Sequence, residues 1–358
     1  MKKIFVPIIL CGWCVAAVAE NATNAVPLSE VLGVLKGRYV DRGKLDPAML
    51  EAAALKGLLQ ELGGSVQVLS AEAAASNAAP VVVPVPTNSL PLARAEMIDP
   101  DIGYIRLRDI TPETVPALDA ELKKCADAKA TGYVLDLRFA DGTNYEVAAS
   151  VASRFLADGQ ELFALKSAEG GRQVFKSHAP GGGTVAAVGG APVMVLVNGQ
   201  TRGCAEALAG ALRANDRGVV VGTKSAGIPI ASEDVKLSNG RVLRVATAKV
   251  SLPKGGEVFP GGIVPDVPVT IDAKMERDVV LNALTNVTLT ASLQPKQKKK
   301  NLSEAELVKA FRGEAMDLPT PGSVAKDDEE RDEICDVVLQ RAVDILKGIR
   351  VLQSWKTD

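Results

Sequence analysis

Short apolar runs alternate with longer amphipathic segments through the middle of the chain. Runs of this length, bounded by Gly, Asp or Pro, are typical of strands that are buried on both faces. They predict strands at residues 102–107, 132–137, 193–197 and 219–221. Apolar side chains at helical spacing predict helices at residues 111–128, 145–156 and 204–214. Thr111 is the expected N-cap of the first helix, with Pro112 in its first turn. Helices that alternate with buried strands favour an α/β core.

Two further pairs of short runs predict antiparallel hairpins. One pair lies at residues 162–165 and 173–177. The other, at residues 234–237 and 241–245, flanks Asn239-Gly240, a dipeptide that strongly favours a tight hairpin turn.

Residues 192–228 form the most informative stretch, a predicted strand, turn, helix and second strand. The turn before the helix contains glycines, and the helix that follows consists mostly of small residues. A turn of this kind presents free backbone N–H groups and the positive end of the helix dipole to its surroundings. Such a site can stabilise an oxyanion that develops during acyl transfer.

This stretch resembles the C-terminal processing peptidases, also called tail-specific proteases, of family S41. The match runs without gaps from Val197 to Gly227 and includes Asn198, Glu206 and Lys224. Upstream, residues 102–106 (IGYIR) and 135–138 (LDLR) match the opening of the family's core, and residues 253–267 match its closing segment. The resemblance implies an α/β (α+β) fold: an S41-like core of mixed sheet and helices, related to crotonase and ClpP.

The family's catalytic residues are missing at the matching positions. The resemblance places the nucleophilic Ser at Gly203, the Lys base at Ile228 and a supporting Gln at Ser232. Glycine has no side chain, and isoleucine cannot accept a proton, so the Ser–Lys chemistry cannot run at these positions. The sequence therefore predicts no catalytic residue there and favours a pseudopeptidase that binds peptide or scaffolds a partner.

An active peptidase with a relocated nucleophile is the alternative. Cys204 begins the predicted helix, where the pKa of a thiol can fall, and Lys224 and Ser225 lie near the family's base loop. In this alternative the chain would be a serine-type or Cys204-dependent endopeptidase acting on exported proteins. The backbone N–H groups of Gly142 and Cys204 are the expected oxyanion-like donors, although the family's Asn-Asn-Pro-Gly-Gly is replaced by residues 139–143 (FADGT).

The segments around the core have simpler interpretations. Residues 1–19 resemble an export signal with a small-x-small cleavage site. Residues 20–64 are predicted to form a helical region, and residues 65–100 are predicted to be an Ala/Pro-rich linker. The core spans residues 101–270. The family's PDZ domain does not fit into the linker. Residues 271–358 are predicted to be helical, and the apolar stripe of residues 327–352 is expected to be core or a homodimer seam.

Composition excludes some classes of function. The net charge of −2 leaves little basic excess for nucleic acid, so the expected partner is a peptide or protein. After signal cleavage no stable membrane span is expected, and the predicted location is the periplasm or exterior of a bacterium. We expect no cofactor and no metal site. His178, the single histidine, is expected to be a surface loop residue, and Cys125, Cys204 and Cys335 to be small buried side chains whose redox state stays open.

Overall fold

The structure is a computed structural model that describes residues 28–40, 45–71, 92–178, 188–282 and 336–355. It divides into two compact units, Met1–Gly63 and Gly64–Asp358. The expected signal at residues 1–19 and Cys335 lie outside the described residues. None of the helices in the described part of the chain is both long and apolar enough to cross a bilayer.

The strands are β1 Val66–Leu69, β2 Leu92–Ile98, β3 Ile102–Leu107, β4 Gly132–Asp136, β5 Glu161–Ser167, β6 Arg172–Lys176, β7 Val193–Val197, β8 Gly218–Gly222, β9 Ile230–Lys236, β10 Val242–Ser251 and β11 Val267–Pro268. The α-helices are α1 Leu28–Arg38, α2 Pro47–Glu61, α3 Thr114–Asp127, α4 Tyr145–Ala152, α5 Cys204–Ala214, α6 Ala273–Arg277 and α7 Val337–Ser354. The first unit contains α1 and α2, and no residue of α2 is buried.

One sheet forms the centre of the second unit, with strand order β11-β8-β7-β4-β3-β2. Its strands are parallel except for β2, which pairs antiparallel with β3. The side chains of β7 alternate between two core clusters, Val193, Val195 and Val197 on one face and Met194 and Leu196 on the other. Burial on both faces explains why these strands are continuous apolar runs in the sequence. The expected mixed α/β fold is confirmed.

A second, antiparallel sheet has the long strand β10 at its centre. β10 pairs with β1 and β5 along one edge and with β9 along the other, and β5 pairs with β6. Both predicted hairpins, β5–β6 and β9–β10, are confirmed. Two expectations are corrected. The predicted linker at residues 65–100 holds β1 and β2 at its ends, where they pair with β10 and β3, and residues 72–91 lie outside the described residues. The N-cap of α3 is Glu113, since Thr111 and Pro112 lie in the turn before the helix.

Helix α7 covers one face of the central sheet. Val338, Leu339, Ala342, Val343 and Leu346 are almost completely buried against the side chains of β3, β4, β7 and β8. Of the two interpretations of this stripe, core or homodimer seam, these contacts support the core. Of the predicted stripe, Ile334 lies outside the described residues, and Leu352 is 59% exposed.

A buried ionic cluster joins α7 to the strand β4. The Arg138 guanidinium donates to Asp136 at 2.6 Å and to both carboxylate oxygens of Asp336, the N-cap of α7, at 2.7 and 2.9 Å. All of these side chains are almost fully buried. Burial alone would raise the pKa of Asp136, but the Arg138 guanidinium holds it below its usual value. The cluster fixes the carboxyl end of β4, directly before the loop that enters the candidate site.

Candidate active site

The turn between β7 and α5 adopts a conformation that requires glycine. Gly203 is the N-cap of α5 and has φ 62° and ψ −133°, a backbone conformation that side chains rarely tolerate. Two polar side chains hold the turn against the end of β4. Asn198 Oδ1 accepts from the Phe139 N–H at 3.1 Å, and Thr201 Oγ1 donates to the Leu137 carbonyl at 2.8 Å. Sequence motif residues on two separate loops are thereby brought together.

A cleft of about 460 Å³ opens beside this turn. The positions at which the resemblance places the family's Ser, Lys and Gln, namely Gly203, Ile228 and Ser232, all line it. The other lining residues are Gly64, Gln67, Asp109, Ile110, Thr111, Asp141, Gly142, Thr143, Arg202, Ile230 and Arg244. The structure thus brings the predicted site residues together, although they come from α5, the loop after β8 and the edge strand β9.

The two expected oxyanion donors are already hydrogen-bonded within the protein. The Cys204 N–H donates to the Gly142 carbonyl at 2.8 Å, and the Gly142 N–H donates to Asp141 Oδ1 at 2.7 Å. An oxyanion hole needs donors that converge on an unoccupied position. In this structure the Gly142 carbonyl oxygen occupies the space in front of the helix N-terminus.

The space that a side chain at residue 203 would need is occupied as well. A Cβ atom at Gly203 would lie 2.2 Å from the Gly142 carbonyl oxygen and 3.1 Å from Asp141 Oδ1. Burial raises the pKa of Asp141, against the opposite effects of the hydrogen bond from the Gly142 N–H and of the Arg202 charge. The loop after β4 therefore fills the place where a nucleophilic side chain would stand.

Cys204 has the wrong environment for a nucleophile. Its side chain is fully buried, and its Sγ lies 2.6 Å from where a Cβ on Gly142 would be. Burial, followed by the charge of Asp141, raises the pKa of the thiol, so the reactive thiolate is disfavoured. This geometry opposes the alternative with Cys204 as nucleophile. Among the described cysteines, Cys125 and Cys204 are both free and buried, which confirms their expected role as small buried side chains.

The buried carboxylate of Glu206 organises the loop after β8. In the sequence, this residue was notable only as a match to the family. Glu206 accepts hydrogen bonds from the Ser225 hydroxyl at 2.5 Å and from the N–H groups of Gly227 and Ile228 at 2.7 and 2.8 Å. Ser225 also accepts from the Ile263 N–H at 2.7 Å, so its hydroxyl is structural. Lys224 is exposed. The one sequence signal for this role is an acidic residue among the small and apolar residues at the start of the helix.

Replacing Glu206 tests this loop anchor. In Glu206→Gln the amide NH₂ must face a backbone N–H, so we expect a loss of about 1–3 kcal/mol in the free energy of unfolding, measured by urea denaturation.

Burial raises the folded-state pKa of Glu206 above its ordinary 4.5. The wild type therefore carries a stability component that is complete below pH 4.5 and is lost as pH rises through the raised pKa. The difference between wild type and variant should shrink over that interval. The exposed Glu169→Gln is the control and should change neither quantity.

The remaining candidates lie away from the cleft. His178 is exposed and lines a separate groove between α4 and β6, as expected for a surface residue. Within the described ranges no group of His, Cys, Asp and Glu residues could hold a metal ion.

Comparison with known proteins shows the family of the core. Residues 101–269 match the model of peptidase family S41. These residues form a domain of peptidase family S41. Over 178 residues the chain is 34% identical to a carboxy-terminal-processing protease of Bartonella bacilliformis. This match covers 48% of this chain and 39% of that protein. It is 31% identical over 166 residues to a chloroplastic C-terminal processing peptidase of Tetradesmus obliquus. This match covers 46% of this chain and 34% of that protein.

The fold comparison extends further along the chain than these matches. A crystal structure from Parabacteroides merdae, described as a candidate peptidase, superposes with a TM-score of 0.51 at 15% identity, covering 75% of this chain and 91% of that one. At this identity the likeness concerns the fold alone. The chain spans less than two fifths of the length of the two curated relatives.

Proposed function

We propose that this S41 domain binds unfolded peptide segments in the cleft beside Gly203 and does not hydrolyse them. The observation that carries the proposal is the occupied nucleophile position: no side chain is present at Gly203, and the Gly142 carbonyl oxygen lies 2.2 Å from where its Cβ would be. Function follows the chemistry of the site rather than the fold. A cleft without a nucleophile retains the capacity to bind.

The loop after β8 supports the same conclusion. At the position of the family's base, Ile228 contributes an aliphatic side chain to the cleft wall, packed so closely on Gly64 that a Cβ there would lie 2.7 Å from Ile228 Cδ1. Together with Ile110 and Ile230, it makes the cleft partly apolar. Apolar walls with a few polar groups are typical of binding clefts.

Hydrolysis is the second candidate, and the names of the curated relatives are what favour it. The proteins from Bartonella bacilliformis and Tetradesmus obliquus are named as a protease and a peptidase. In this chain the activity would need a nucleophile other than residue 203. Cys204 is buried with a raised thiol pKa, and the Ser225 hydroxyl is held by Glu206, which weakens this candidate.

A single assay separates the two candidates. The purified protein is incubated with reduced, carboxymethylated α-lactalbumin; binding is followed by fluorescence anisotropy and fragments by mass spectrometry. We expect saturable binding and an intact substrate. Thr143→Trp, which fills the cleft from an exposed position, should weaken binding at least tenfold, and Glu169→Trp, on an exposed turn, should not. Fragments that follow the protein through every purification step, or an absence of binding, would contradict the proposal.

We also propose that the protein acts outside the cytoplasm, since residues 1–19 have the pattern of an export signal. Expressed in a bacterium, the mature protein should begin at Glu20. Intact-mass measurement of the extracytoplasmic fraction checks this, and recovery only of the uncleaved chain in the cytoplasm would contradict it.

A further inference from the structure

The strand β9 forms one edge of the antiparallel sheet and also contributes to the cleft. It pairs with β10 along its whole length, from Ile230 to Lys236, and no other strand in the described part of the chain pairs with it. Residues 232–236 are exposed. An exposed strand edge presents unpaired N–H and C=O groups and is a template for another strand.

The hairpin turn determines which backbone groups face outward. The Leu237 N–H donates to the Arg241 carbonyl at 2.8 Å, so this pair closes the ladder. In an antiparallel ladder, hydrogen-bonded pairs alternate with non-hydrogen-bonded pairs. Residues 235 and 233 therefore bond to β10, whereas the N–H and C=O groups of Ser232, Asp234 and Lys236 point away from it.

The face of β9 that carries the Ser232 side chain contributes to the cleft. Ser232 lines the cleft, and so does Arg244, which lies directly opposite Asp234 in the ladder. Side chains of residues two apart, and of directly opposed residues, lie on one face of a sheet. A strand added beside β9 would therefore place every second side chain on the face that forms the cleft wall.

We propose that the peptide is held as an added strand on the outer edge of β9, through main-chain hydrogen bonds to Ser232 and Asp234, with alternate side chains in the cleft. This inference rests on the proposed function, because it assumes that a peptide binds there. Main-chain pairing tolerates many sequences and requires an extended, unfolded segment. The charged side chains of Glu233, Asp234 and Lys236 discourage the same edge from pairing nonspecifically with other sheets.

A scan of single N-methyl groups along a probe peptide tests this mode on the unaltered protein. The probe is a capped, labelled decapeptide of alternating serine and valine flanked by lysines. Each N-methyl group removes one main-chain donor. Strand addition predicts that affinity falls about fivefold to tenfold at every second position of the bound segment and changes little between them. A loss without this alternation, or no loss, would overturn the strand-addition proposal while leaving peptide binding intact.

A pair of variants at one residue gives the matching test from the protein side. Ser232→Pro removes the outward N–H, which an edge strand tolerates because that N–H is not part of the ladder; Ser232→Ala keeps the N–H and removes only the hydroxyl. We expect Ser232→Pro to lower the affinity for the unmethylated probe at least fivefold. The affinity of Ser232→Ala for this probe should be within twofold of that of the wild type. Equal affinities for the two variants would overturn the proposal. A wild-type protein that does not bind the unmethylated probe would overturn the proposed function as well.

Discussion

Replacing Arg138 by methionine is expected to lower the free energy of unfolding by about 3–5 kcal/mol. The guanidinium is 1% exposed and is the shared partner of Asp136 and Asp336, which are 0% and 3% exposed. Without it, the buried carboxylates of Asp136 and Asp336 lose the cation that hydrogen-bonds to both of them, and the charge of the buried Arg106 does not replace these hydrogen bonds. This is far more costly than the loss of one hydrogen bond. Urea denaturation, followed by far-UV circular dichroism, measures the change.

Arg172→Met is the matched control for this substitution. Arg172 also pairs with a carboxylate, that of Glu161, but the two side chains are 46% and 33% exposed. Exposed ion pairs contribute little, so we expect a loss of no more than about 1 kcal/mol. Equal losses in the two variants would show that the Arg138 cluster does not anchor α7 to the sheet.

Adding a side chain at Gly203 should have an effect of similar size. In Gly203→Ala the new Cβ would meet the Gly142 carbonyl oxygen at 2.2 Å, and the residue would have to keep φ near 62°. Backbone strain of this kind costs about 1–3 kcal/mol before any steric clash is counted. We expect a total loss of about 3 kcal/mol or more in urea denaturation. For the same reason, Gly203→Ser combined with Ile228→Lys should show no proteolysis above background.

Gly159→Ala separates the two contributions. Gly159 has φ 77° and nothing within 4 Å of its expected Cβ, so the variant carries the backbone strain without the clash. The free energy of unfolding of this variant should fall by only about 1 kcal/mol. A Gly203→Ala variant no less stable than Gly159→Ala, or a double variant that cleaves unfolded substrates, would show that the peptide group at Gly142 rotates easily and that only the chemical groups are missing.

The sequence was a sufficient guide where burial dictates composition. The strands β3 and β7 and the helix α5 begin and end at the predicted residues, because apolar runs buried on both faces and a small-residue helix leave few alternatives. Its limits appear where stability comes from distant partners. β1 and β2 lie in a segment rich in Ala and Pro, and their pairing with β10 and β3 depends on residues elsewhere in the chain.

The sequence by itself determined that this protein contains an S41 core, and the resemblance to the family predicts glycine and isoleucine at its serine and lysine positions. Both conclusions follow from residue identity along a continuous motif. Only the tertiary structure decided that the Gly142 carbonyl accepts from the Cys204 N–H, that Glu206 anchors the loop after β8, and that α7 covers one face of the central sheet. Each of these depends on contacts between residues far apart in the chain, whose distances no local pattern encodes.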